Sequence, residues 1–329
     1  MSDGLAALQP GAPYIAAAAS SLVVTFVLMP HLIRTFTARG MVGKDRNKFD
    51  QRAIAEMGGV AVVAGFFAGI VVLMGFDSFY NQTTIPEMAL FLAALIAALG
   101  AAFVGAIDDL FDLRQRVKAV LPVLFALPLG FVVVNQTVTL PGGTVIEFGA
   151  LMIPLVAFMV SAGANAANML EGFNGLGAGL GLITASAFTV LAFYTGHPEA
   201  LLLLAPYIGA TLTFLWFNRF PAKVFPGDTF TLFSGATLVA AAVMVDLKEV
   251  GTLLFIPMII EFILKLRHRF TAETYGVPSE SGTLVYSGPT GSLTHVLLKH
   301  GANTERKVVW SLWGVQAMIA FLVLAVIFV

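Results

Sequence analysis

The chain contains no cysteine and very little charge, since Asp, Glu, Lys and Arg make up only 11% of its 329 residues. The first absence excludes disulfides and any thiolate-ligated metal centre. The second excludes an ordinary soluble domain, where roughly 25% of residues are charged. The formal net charge of −1 singles out no partner by itself, and nucleic acid is not expected among them. Residues 1–13 also lack the basic stretch and the small-residue cleavage site of a signal peptide, so the first apolar run is expected to persist as a helix. No internal repeat is evident.

What fills the chain instead is hydrophobic sequence, 58% of the total. A bilayer core needs about 20 apolar residues per crossing helix. The apolar runs between polar or Gly/Pro breaks predict an all-α polytopic membrane protein, a single domain over residues 1–329. About ten helices fall near 13–33, 57–76, 88–106, 119–135, 147–163, 175–195, 200–217, 229–246, 250–265 and 307–328. With an external N-terminus, the loops at 34–56, 107–118, 164–174, 218–228 and 266–306 lie inside. These loops and their flanks hold every Lys and Arg of the 18 except Lys248. The positive-inside rule then predicts that these loops face the cytoplasm and that both termini are external. The short outer links include a candidate hairpin over 136–148. They also carry two Asn-x-Thr sequons, at Asn81 and Asn135, which are too short to carry weight.

Chemistry concentrates on the inner loops. Asp108, Asp109 and Asp112 are followed by Arg114, Arg116 and Lys118 at a membrane boundary, where charge is costly unless functional. Helical spacing pairs Asp108 with Asp112 and Arg114 with Lys118. A snorkelling, salt-bridged loop is the plainer alternative. Asn165, Asn168 and Glu171 recur at helical i,i+3 spacing beside Gly172, Asn174 and Gly175. Their oxygens suit a hard cation, although Asn and Gly also pack membrane helices together. Asp228, in Phe225-Pro226-Gly227-Asp228-Thr229, reads alone as a helix cap and, beside the other acids, as a Mg²⁺ ligand. Lys265, Arg267, His268 and Arg269 open the long ninth-to-tenth-helix loop; arginine forks suit phosphate, while a juxtamembrane basic cluster also suits lipid headgroups. Residues 43–48 and 56–59 share that ambiguity. Glu171 and Glu261 have no assigned role, and Lys265 is the candidate partner of Glu261 at i,i+4. Acids for a divalent cation and bases for phosphate on one face imply a phosphorylated substrate and phosphoryl transfer.

These motifs, Asp108-Asp109 with Lys118, Asn165/Asn168/Gly172/Asn174-Gly175-Leu176, and Gly227-Asp228-Thr229, resemble those of the polyprenyl-phosphate N-acetylhexosamine-1-phosphate transferases over nearly the full chain. Gly43-x-Asp45-x-Asn47-Lys48, Glu56 and Arg267-His268-Arg269 look most like the UDP-GlcNAc–dolichyl-phosphate branch. The bacterial undecaprenyl-phosphate branch usually shows a His-rich last loop, where this chain has only His268, His295 and His300. The resemblance implies transfer of GlcNAc-1-phosphate from UDP-GlcNAc to a polyprenyl or dolichyl phosphate, giving UMP, with Mg²⁺ as cofactor and Mn²⁺ as a substitute.

It further implies Asn168 and Asp228 as metal ligands, and Asp108, Asp109 and Lys118 as the catalytic group. Lys48, Glu56, Asn165, Gly172, Asn174, Phe225, Arg267, His268 and Arg269 become substrate-binding residues, with uracil between Phe225 and the glycine backbone and the arginines on the diphosphate. A phosphate monoester is largely ionised at neutral pH, so Asp108 is expected to orient Lys118 and the acceptor rather than serve as a base. The host membrane would be the plasma membrane of a prokaryote or the endoplasmic reticulum of a eukaryote, and a homodimer is compatible with the plain lipid-facing surfaces. A transporter would instead place such groups at mid-membrane within paired repeats, and a non-catalytic scaffold would leave Asn168 and Asp228 without purpose.

Overall fold

The computed structural model describes residues 11–80, 88–133, 136–139, 144–246 and 248–328. Its helices are α1 (Ala12–Ala38), α2 (Gly59–Tyr80), α3 (Met88–Phe111), α4 (Gln115–Val132), α5 (Met152–Leu170), α6 (Leu176–Thr195), α7 (Leu201–Asn218), α8 (Gly227–Met244), α9 (Lys248–Leu253), α10 (Ile256–Arg267), α11 (Leu293–Lys299) and α12 (Glu305–Phe328). Among the described residues, nine helices are long and apolar enough to cross a bilayer. The protein is an all-α polytopic membrane protein. Among the described residues the sheets are three two-stranded antiparallel hairpins: β1 (Val42–Lys44) with β2 (Ala53–Ala55), β3 (Thr137–Thr139) with β4 (Val145–Glu147), and β5 (Val277–Pro278) with β6 (Leu284–Val285). The second is the outer hairpin anticipated from the sequence. Its tip, and both sequon asparagines, fall outside the described residues.

Helix α8 is the hub, packed against α3, α5, α2, α6 and α7, with 89% of its spanning window buried against 22% for α1 and α12. Backbones come close enough for this only where side chains vanish. A Cβ on Gly105 of α3 would fall 2.2 Å from the Asp228 carbonyl, and one on Gly235 of α8 would fall 2.3 Å from that of Gly163 on α5.

Four sequence expectations are corrected. The apolar run at 250–265 is not one helix: α9 and α10 are separated at Leu254 and Phe255, because Pro257 enters the first turn of α10 and has no N–H to offer the carbonyl of Leu253. The polar inner segments are also less loop-like than anticipated. Helix α3 runs on to Phe111 and α5 to Leu170, so Asp108, Asp109, Asn165 and Asn168 are helical. Asp112, at φ 51°, lies beyond α3 and cannot share a face with Asp108, while Arg114 precedes α4 with an extended ψ of 133°. Glu171 likewise leaves the Asn165/Asn168 stripe, since it is extended (φ −68°, ψ 155°).

Candidate active site

The five polar segments meet at one pole of the bundle. Asn47 donates to the Gly172 carbonyl at 2.7 Å and accepts from the Gly276 N–H at 3.2 Å, tying the first, third and last segments together. The fourth joins through Phe225 N–H to Ala55 O (2.8 Å) and Gly58 N–H to Phe225 O (2.9 Å). Between them lies a cavity of about 220 Å³. Small-molecule sites usually measure about 300–1,000 Å³, so a whole nucleotide-sugar must protrude from it or widen it.

One end of the cavity is formed by Asp228, which belongs to a charged group. Lys118, in the first turn of α4, reaches Asp108 Oδ2 on α3 at 2.9 Å and also pairs with Asp228 on α8. Asp109 is turned away from this group. Its Oδ1 accepts from Asp228 N–H at 2.6 Å and its Oδ2 from the N–H and hydroxyl of Thr229 at 2.9 and 2.6 Å. Both oxygens are spent capping the exposed donors at the start of α8. The sequence grouped Asp109 with the reacting side chains, whereas the structure places it as the support that aims Asp228. Gly227 (φ +65°) makes this possible, since a Cβ there would meet Asp109 Oδ2 at 2.6 Å.

Asn168 and Asp228 both line the cavity, and Asn168 Nδ2 is a buried polar atom without a hydrogen-bond partner. One turn earlier, Asn165 is engaged: its Nδ2 donates to Ser161 O at 2.8 Å, so it stands in the α4–α5 packing and not in the cavity wall. Among the described residues no three His, Cys, Asp or Glu cluster as a complete metal cage. One amide oxygen and one carboxylate nevertheless fit Mg²⁺, which takes few protein ligands and fills its octahedron with phosphate and water.

The other end is aromatic, lined by Gly172, Phe173, Asn174, Phe225 and Tyr275, with the charged Asp45, Arg46 and Glu171 among its lining. Asn174 is held from behind. Its N–H donates to Glu305 Oε1 at 2.7 Å and its Nδ2 to Asp45 Oδ2 at 3.1 Å. Lys48 sits between those two acids, paired with Glu305 and 3.5 Å from Asp45. Its ammonium is therefore committed to the protein, a correction to its expected place on the substrate. Glu305, at the start of α12, was not anticipated; a lone acid opening a helix reads from sequence as a favourable dipole partner and nothing more.

Glu56 lines the cavity, and burial, with Asp109 nearby, raises its carboxyl above the usual range. Glu171 also lines it, and burial pushes its carboxyl up to about 7 despite the N–H groups of Gly172 and Gly177. Arg267 and Arg269 are exposed at the end of α10, and His268 bonds Thr290 O at 3.1 Å, so none of the three lines the cavity. The last segment contributes Tyr275 instead. Lys265 Nζ bonds Ala272 O (3.1 Å) and Thr274 Oγ1 (2.9 Å), folding the chain back so that Thr274 and Tyr275 pass beneath Gly172. Arg46 lines the same wall, its guanidinium 5.2 Å from the Tyr275 ring centre and 2.7 Å from Glu273. Glu261 does pair with Lys265, at 3.7 Å, and accepts from the Leu293 N–H (2.8 Å) and Ser292 hydroxyl (3.0 Å) at the start of α11.

Comparison with known proteins finds relatives along nearly the whole chain. The model of glycosyl transferase family 4 matches residues 91–246. A Saccharolobus solfataricus protein, provisionally named a UDP-N-acetylglucosamine–dolichyl-phosphate N-acetylglucosaminephosphotransferase, is 37% identical over 93% of this chain and 94% of its own length. The Dictyostelium discoideum enzyme of that name is 25% identical over 75% of this chain and 70% of its own. A phospho-N-acetylmuramoyl-pentapeptide-transferase of Halalkalibacterium halodurans is 33% identical over 68% of this chain and 72% of its own. With its helical body, a polar cavity at one pole and relatives spanning nearly its whole length, the chain belongs to glycosyl transferase family 4.

Proposed function

We propose that the protein transfers GlcNAc-1-phosphate from UDP-GlcNAc to a polyprenyl phosphate of the dolichyl type. An oxygen of the acceptor phosphate attacks the β-phosphorus of the UDP-sugar. The bond from that phosphorus to the bridging oxygen breaks, and the electron pair leaves with UMP. The observation that carries this reading is a cavity whose lining combines Asn168 and Asp228, the latter paired with the Lys118 that Asp108 also holds, with the aromatic side chains of Phe225 and Tyr275. Phosphoryl transfer needs placement and charge neutralisation more than covalent chemistry. Lys118 supplies a fixed positive charge for the acceptor phosphate, and Asp108 holds it in place. The uridine base lies at the aromatic end, between Phe225 and the Gly172 backbone, where Asn174 meets it.

Asn168 and Asp228 would hold Mg²⁺, which when bound neutralises charge on the diphosphate. Arg267, His268 and Arg269 would meet the part of the donor that projects beyond the cavity. The positive-inside rule places this pole in the cytoplasm and both termini outside. The test is UMP release by purified protein with polyprenyl phosphate, comparing UDP-GlcNAc, UDP-GalNAc and UDP-MurNAc-pentapeptide, with and without EDTA, and with Asp228→Ala. Release is expected with UDP-GlcNAc alone, to be lost with EDTA, and to fall by about 10³-fold in Asp228→Ala. Preference for the pentapeptide donor would establish the bacterial-type reaction instead. Absence of release with every donor would end the transferase reading.

A further inference from the structure

A carboxamide presents a donor and an acceptor of nearly equal shape, so its neighbours decide which one a ligand meets. Three asparagines line the cavity: Asn168, Asn174 and Asn218. Asn168 stands with Asp228 at the proposed metal position. Asn218 is spent at both atoms, its Oδ1 accepting from Gly175 N–H at 2.9 Å and its Nδ2 donating to Val224 O at 2.9 Å. Asn174 alone keeps one atom for a ligand at the aromatic end, and Asp45 selects which. A carboxylate only accepts hydrogen bonds, so the Asn174 nitrogen must face Asp45, at 3.1 Å. The oxygen is then the atom left to the cavity. Asp45 is 3% exposed and has the Lys48 ammonium 3.5 Å away as its counter-charge. Glu305 fixes the same residue a second time, through the Asn174 N–H. Residue 174 can neither shift nor turn its amide without breaking a buried, charge-assisted bond.

Uracil and cytosine differ on the edge that such an atom would read. Uracil N3 carries a hydrogen; cytosine N3 is a bare acceptor beside an amino group. An amide oxygen aimed at N3 pairs with uracil and faces cytosine acceptor to acceptor. We propose that Asp45, as a positioning residue acting through the Asn174 amide, makes this site select a uracil nucleotide over a cytosine nucleotide. The inference rests on the placement of the base at the aromatic end of the cavity.

The test is binding of UMP and of CMP to the purified full-length protein in detergent, with thermal unfolding to verify folding. The wild type is expected to prefer UMP by at least about tenfold, the consequence of one mispaired buried hydrogen bond. Asp45→Asn gives the Asn174 oxygen a donor to turn toward, and the UMP/CMP ratio is expected to fall about tenfold. Asp45→Ala removes the lock by a different route and is expected to lower the ratio in the same direction. Glu305→Gln leaves Asp45 on the amide and should weaken both nucleotides while keeping the ratio. Asp45 variants that bind UMP with the wild-type ratio would overturn the role of Asp45 and leave the base placement standing. A wild type indifferent between UMP and CMP would overturn the base placement and this inference together.

Discussion

Two lysines at the polar pole are each buried between two carboxylates, yet the structure uses them differently. Lys118 lies between Asp108 and Asp228, and Lys48 between Asp45 and Glu305. The inventories match, and so does the shielding of the lysines, whose side chains are 11% and 14% exposed. The carboxylates differ. The Asp228 side chain is 21% exposed and lines the cavity beside Asn168, whereas the Asp45 and Glu305 side chains are 4% and 3% exposed and hold Lys48 and Asn174, Asp45 through its Oδ2. A lysine between two acids is therefore not in itself a reaction centre. The first set presents Asp228 to the cavity beside Asn168, and the second holds Asn174 by its amide and its N–H.

The sharpest way to break this comparison is to delete each ammonium in turn. Lys118→Met is expected to lower UMP release by about 10²–10³-fold at saturating substrate, the usual cost of losing one preorganised charge partner. Lys48→Met removes the same charge from an equally buried position. Its expected signature is a rise of about tenfold in KM for UDP-GlcNAc, with kcat within about threefold of wild type, because it loosens Asn174 and touches no reacting atom. Both variants leave carboxylates unpaired and should lower the unfolding temperature. If kcat collapsed equally in both, the two lysines would share one role and the contrast between them would fail.

A further carboxylate in the cavity wall, Glu171, sharpens the comparison by having no lysine partner among the described residues. Its folded value of about 7 lies above its ordinary 4.5. Between those pH values the folded protein retains a proton that the unfolded chain has released, so stability falls as pH rises from about 4.5 to about 7, and the loss is complete above that. Glu171→Gln carries no such penalty. In EDTA it should match the wild type at pH 4.5 and exceed it at pH 8 by at most about 3 kcal/mol, since each tenfold change in proton affinity is worth roughly 1.4 kcal/mol. Thermal unfolding at the two pH values measures the difference.

The bundle was readable in the sequence because apolar runs and basic loops are one-dimensional signals. Asp108 and Asp228 were visible for the same reason, as acids bordering long apolar stretches. The break between α9 and α10 was not, because Leu254 and Phe255 leave the hydropathy unchanged and only Pro257 marks it. Asp45 stood out only within the Gly43-x-Asp45-x-Asn47-Lys48 motif, and Glu305 did not stand out at all. Their roles depend on a meeting with Asn174 that no local pattern encodes. Arg267 and Arg269 show the reverse failure, since a motif that suits phosphate ends in exposed side chains beyond the cavity wall.

The pairing of Lys48 with Glu305 joins residues 257 positions apart, and this gives the site a place in time as well as in space. Synthesis delivers Asp45 and Lys48 first, Asn174 midway and Glu305 only at the start of the last helix. Until that helix enters the membrane, the Asn174 N–H lacks its acceptor and the Lys48 ammonium lacks one of its two counter-charges. The Asn174 end of the cavity therefore matures last, after Lys118, Asp108 and Asp228 have all been made.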